Sequence, residues 1–80
     1  MRLDKFLKNA RIIKRRPVAK EACEKGRVFV NDKEAKPGTE LEIGDVVMVH
    51  FGNRTFKVKV KELSEHVKKE EAENLYEVVE

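Results

Sequence analysis

The stretch Lys25-Gly26-Arg27-Val28-Phe29-Val30-Asn31-Asp32 is where the hydrophobic period of this 80-residue chain changes. Before Gly26, apolar residues recur at helical spacing. After it they alternate, with Val28 and Val30 on one side of a strand and Arg27 and Phe29 on the other. Glycine suits the left-handed residue that closes a helix, and Asn31-Asp32 suits a tight turn. One residue therefore divides a helical N-terminal third from a strand-rich remainder.

Toward the N-terminus, Leu3, Phe6, Leu7 and Ala10 fall at i, i+3, i+4 and i+7, one apolar stripe on a helix of about two turns. Lys5, Lys8 and Arg11 lie away from that stripe, on the face left to solvent or ligand. Ile12 and Ile13 are expected to lock the next turn into the core. Pro17 disfavours helix in the residue before it and suits a first helical turn, so a second helix is predicted from about Pro17 to Lys25. Val18 and Ala22 are its expected buried stripe, with Ala19 and Cys23 beside it.

Toward the C-terminus, Pro37-Gly38, Gly44-Asp45 and Gly52-Asn53 are turn signals. Leu41 and Ile43 alternate with charged residues between the first two. Val46 to Phe51 reads as a buried strand, and Phe56, Val58 and Val60 alternate with lysines as a half-exposed one. Ser64 to Asn74 is expected to contain a short helix, and Leu75, Tyr76, Val78 and Val79 a final strand. The expected fold is α+β: two helices packed on a small antiparallel sheet, followed by a helix/strand tail. Residues 1–80 form one domain in this reading, with a core at 1–62 and an extension at 63–80.

Charge follows the same division. Residues 1–27 hold ten Lys/Arg against three acids, a net of +7, and residues 28–80 hold eight against twelve, a net of −4. A cationic third of this density is the footprint of a polyanion binder. Arg2, Arg11, Lys14, Arg15, Arg16 and Lys20 share one surface if the second helix packs back on the first. Arginine matches phosphate oxygens with a planar fork of donors, and lysine acts as a point charge. Arg16 stands at the mouth of the second helix, where backbone N–H groups and the helix dipole also favour an anion.

Other function classes lack their residues. His50 and His66 have no Ser, Cys or Asp at a telling spacing, so no nucleophilic catalysis is expected. One cysteine and two scattered histidines do not make a metal site, and no glycine-rich phosphate loop is present. No cofactor is expected. No apolar run approaches 18 residues and no apolar leader is seen, so neither a membrane span nor a secretory signal is expected. The lone Cys23 fits a reducing cytoplasm and reads as a small packed hydrophobe. Phe6, Phe29, Phe51 and Phe56 are assigned to the core and tryptophan is absent, which argues against stacking of successive bases and for folded RNA read through phosphates, 2′-hydroxyls and shape.

The segments Arg2-Leu3-Asp4-Lys5-Phe6-Leu7, Lys14-Arg15-Arg16, Ala19-Lys20 and Gly26-Arg27-Val28-Phe29-Val30-Asn31 resemble the RNA-binding domain named after small-subunit ribosomal protein S-four. That resemblance implies two helices on a small bent antiparallel sheet, with the helices meeting structured RNA. The tail Lys68-Lys69-Glu70-Glu71-Ala72-Glu73-Asn74-Leu75-Tyr76 is similar to that of the short ribosome-quality-control proteins called RqcP. By resemblance, the partners are large-subunit ribosomal RNA and P-site peptidyl-tRNA, with RqcH as the functional partner in untemplated alanine tailing. Arg2 and Arg16 are then the principal RNA contacts, with Lys5, Lys8, Arg11, Lys14, Arg15, Lys20 and Arg27 around them. The protein is expected to be a non-enzymatic cytoplasmic monomer. The alternatives are a heat-shock-type factor that recycles blocked large subunits, a general ribosomal RNA-binding or assembly factor, and a protein-interaction module with a merely solubilising basic face. Six phosphate contacts on duplex RNA imply a log–log salt slope of roughly −5.

Overall fold

The computed structural model describes residues 1–79; Glu80, the last residue of the expected extension, lies outside them. Its order is α1 (Leu3–Asn9), α2 (Arg16–Glu24), β1 (Val28–Val30), β2 (Lys33–Glu34), β3 (Val46–Phe51), β4 (Arg54–Val60), a 3₁₀ helix (Lys69–Leu75) and β5 (Tyr76–Val78). The strands form one antiparallel sheet in the order β2-β1-β3-β4-β5. The fold is α+β, as the change of period at Gly26 requires. No helix among the described residues is long and apolar enough to cross a membrane.

Phe6, Leu3 and Leu7 of α1 are fully buried and join Val28, Val47, Val49, Val58, Val60 and Leu75 in a single core. Every one of these strand residues follows the period of two, so the sheet presents one apolar face to the helices. The turns obey their chemistry. Asn31 and Asp32 both have positive φ (51° and 68°), the type I′ turn that joins β1 to β2. Gly52 alone is positive at the β3–β4 turn (58°), the type II′ arrangement. The Asn31 side chain also ties the two ends together: its Oδ1 accepts from Val46 N at 3.0 Å and its Nδ2 donates to Asp45 at 3.1 Å.

Both helices close with a Schellman motif. After α2, Gly26 N donates to Cys23 O and Arg27 N to Ala22 O, both at 3.0 Å. After α1, Arg11 N donates to Lys8 O at 3.0 Å and Ile12 N to Leu7 O at 3.1 Å, so Arg11 holds the left-handed position at φ 58°.

Three expectations change. In α2 the buried stripe is Ala19 and Cys23, while Val18 is 50% exposed. Small residues at the contact let α2 lie close on α1, and the stripe rotates by one residue. Leu41 and Ile43, although they alternate alike with charged residues, do not share a face: Leu41 is buried and Ile43 is 68% exposed, because the chain turns at Glu42–Asp45. β3 is fully buried on one face only, at Val47 and Val49, and its other face is partly covered among the described residues.

Candidate nucleic-acid interface

The site is organised by a residue with the opposite charge. Asp4, in the first turn of α1, is 2% exposed and is the one buried charged side chain among the described residues. Its Oδ1 accepts from Lys5 N at 2.8 Å and from Arg2 Nε at 3.3 Å; its Oδ2 accepts from Arg2 Nη2 at 3.3 Å and faces Arg16 Nε at 3.5 Å. One carboxylate thus holds Arg2 from the start of α1 beside Arg16 from the start of α2. Each arginine side chain remains about half exposed, at 49% and 46%. Asp4 cancels part of their mutual repulsion and leaves the pair with a net positive charge turned to solvent.

Neither helix start offers a row of free backbone donors. At α1 the free donors are all taken: Leu3 N by Thr39 O at 2.8 Å, Asp4 N by Pro37 O at 3.1 Å and Lys5 N by Asp4 itself. Main-chain pairing of Arg2 with Glu40 fixes the approach, and Gly38 lies against the Arg2 guanidinium. This end is a joint, with no donor left for a ligand. At α2, Arg15 is the extended residue before the helix and Pro17 brings no N–H. Val18 N and Ala19 N both donate to Arg15 O at 3.1 Å, so the backbone donors expected there for an anion are largely absent and the side chains must supply the contact. Arg15, Arg16 and Lys20 are all exposed there.

Lys8, Arg11 and Lys14 surround a small cavity of about 90 Å³ with Asn9 and Val67. Lys14 and Arg27 border a larger cleft that Ile12 and Ile13 also line. Lys5 stands apart from the others. Its ammonium pairs with Glu65, and this hydrogen bond holds the Glu65 carboxyl below its ordinary pKa. Asn9 Nδ2 donates to Ser64 O at 3.1 Å on the same flank, so the C-terminal segment is clipped to α1 there. The buried Cys23 thiol is pushed up to about 11, first by burial and then by the negative charge of Asp4.

Two features were not anticipated from the sequence. In the sequence Asp4 stands out only as part of the opening motif, although a carboxylate beside the apolar stripe of a basic helix signals an internal partner. Phe51 was assigned to the core but is 43% exposed. It lies on the same strand face as Val47 and Val49, at the point where β3 runs out beyond the helices. His50 Nδ1 sits 3.0 Å from Thr55 Oγ1, and its ring meets Phe29 edge-on at 5.5 Å between centroids. Among the described residues no three His, Cys, Asp or Glu side chains converge as a metal site would require.

The family model described as the S4 domain matches residues 1–47. A relative from Halalkalibacterium halodurans named RQC P-site tRNA stabilizing factor is 53% identical over 78 residues, covering 98% of this chain and 89% of its own. A relative of the same name from Streptococcus pneumoniae is 52% identical over 79 residues, covering 99% and 90%. Among solved structures, the trimeric Heat Shock Protein 15 of Vibrio cholerae superposes with a TM-score of 0.91 at 32% identity, covering 99% of this chain and 81% of that one.

Proposed function

The chain belongs to the S4 domain family, among the relatives named RQC P-site tRNA stabilizing factor, and from that premise we propose that it acts in ribosome quality control as a non-catalytic RNA-binding protein. It binds large ribosomal subunits that still carry peptidyl-tRNA, touching the P-site tRNA and nearby ribosomal RNA. By holding that tRNA it supports RqcH-directed alanine tailing of the stalled chain. The observation that carries this reading is the Arg2–Asp4–Arg16 arrangement, two half-exposed guanidinium forks brought together on one surface from the starts of both helices. Paired forks of this kind suit the closely spaced phosphates of folded RNA. Lys8, Arg11, Lys14, Arg15, Lys20 and Arg27 extend the cationic surface, and Lys5 contributes once Glu65 is displaced. Residues 1–62 are the RNA-binding core and 63–80 the extension clipped to it. The working unit is a cytoplasmic monomer, which analytical ultracentrifugation checks directly.

Co-sedimentation with two large-subunit preparations, one empty and one loaded with peptidyl-tRNA, tests the proposal across a salt series. The loaded particle is expected to bind more tightly, with a steep salt slope. Arg16→Ala should weaken binding roughly tenfold or more with little change in melting temperature, and Arg2→Ala should weaken it as much while also lowering the melting temperature, because it takes two donors from buried Asp4. Equal binding to both particles would point instead to a general subunit-binding or recycling factor. No binding to either would end the RNA reading.

A further inference from the structure

Phe51 and Arg54 face each other across the β3–β4 hairpin and project from the same face of the sheet. They meet Arg11 and Ile12 of the α1–α2 turn around a cleft of about 560 Å³, which Thr55, Phe56 and Tyr76 complete. Phe56 and Tyr76 are half-buried and meet edge-on, 6.1 Å apart between centroids, so the inner wall is aromatic and firmly packed. No acidic side chain lines the cleft. Arg11 and Arg54 are exposed, and neither forms an ion pair among the described residues. Arg11 also borders the cavity between Lys8 and Lys14, so the cleft continues the cationic surface of the helices.

The chemistry of this lining is specific. A flat apolar ring open to solvent favours a planar partner, and two unpaired guanidinium groups at the rim favour an anion attached to it. An aliphatic peptide brings neither a planar face nor an anion, and a duplex backbone satisfies the second requirement only. We propose that the cleft receives one unpaired nucleotide of the bound RNA, its base stacked on Phe51 and its phosphate between Arg11 and Arg54. The proposal rests on the RNA-binding function above and adds to it a preference for RNA with an extruded base. The left-handed backbone of Arg11, at φ 58°, fits this role, because a residue with a Cβ adopts it only at a steric cost and it brings that side chain to the rim.

The test uses two RNA hairpins that differ by one extruded 2-aminopurine nucleotide. The full-length protein is expected to bind the bulged hairpin roughly tenfold more tightly and to quench its fluorescence. Phe51→Leu should remove both the preference and the quenching while leaving affinity for the fully paired hairpin unchanged; Phe51→Tyr should restore them. Arg54→Gln, which leaves the apolar wall intact, should reduce the preference and flatten the salt slope of the bulged complex by about 0.7. Equal affinity of the wild-type protein for both hairpins would overturn the proposal. A preference that survives in Phe51→Leu would overturn it too. Failure to bind either hairpin would remove the RNA-binding reading along with it, an outcome distinct from both.

Discussion

Both helices end on the same turn and fill its critical position with different residues. After α2 the left-handed residue is Gly26, φ 72°, with Glu34 Oε1 3.2 Å from where a Cβ would stand. After α1 it is Arg11, φ 58°. Glycine there serves the path of the chain: it delivers the backbone into β1 with no steric cost. Arginine carries a conformational cost at the same place and sets a long cation between two cavities. One position is dictated by backbone geometry, the other by what its side chain reaches.

Gly26→Val strikes this contrast hardest. A β-branched residue must adopt positive φ and push against Glu34, so a loss of about 2–3 kcal/mol is expected in urea unfolding. RNA affinity of the folded protein should not change; a large affinity loss would show that Gly26 also serves the ligand. Asp4→Asn acts at the opposite end of α1. It removes the charge that holds Arg2 and Arg16 together, with a stability loss of about 2 kcal/mol. Affinity for the tRNA-loaded subunit should fall with it, although Asp4 itself makes no RNA contact. Full affinity in that variant would mean that the arginines find their places unaided.

Arg11→Gly sharpens the contrast by making the two turns alike. Stability should rise by about 1 kcal/mol as the left-handed strain is released. The salt slope on duplex RNA should become shallower by about 0.9. A less stable variant, or an unchanged slope, would contradict the assignment of Arg11. The last prediction concerns pH, and its effect is confined to alkali. The folded Cys23 thiol titrates near 11 rather than 9.0, so its contribution to stability is complete below pH 9 and is lost as pH rises from about 9 to about 11. Melting temperatures across that window should fall more in the wild-type protein than in Cys23→Ala, and equal slopes would dismiss the effect.

The elements were legible because each rests on local chemistry. The period change at Gly26, the Asn31-Asp32 turn and the α1 stripe are decided by neighbours in sequence, and all are found. Errors arose where a neighbour distant in sequence decides. The rotation of α2 onto Ala19 and Cys23 depends on how closely α1 approaches, which no residue in α2 declares. Phe51 has the strand parity of a core residue, and parity cannot tell where the helical cover stops. The basic residues were readable from composition, yet their arrangement was not. That Arg2 and Arg16 share Asp4, while Lys5 turns away to Glu65, follows from packing alone.

The bridge between Arg2 and Glu40 decides whether the arginine pair can be transplanted. A synthetic peptide of residues 1–27 keeps the full +7 charge. It lacks Thr39 and Pro37, whose carbonyls hold the first donors of α1, and it lacks the sheet that buries Leu3 beside Asp4. Such a fragment is a polycation with charge and no shape, attracted to any phosphate chain and selective for none. Grafting the recognition surface onto another scaffold therefore requires importing the loop at 37–41 together with the two helices.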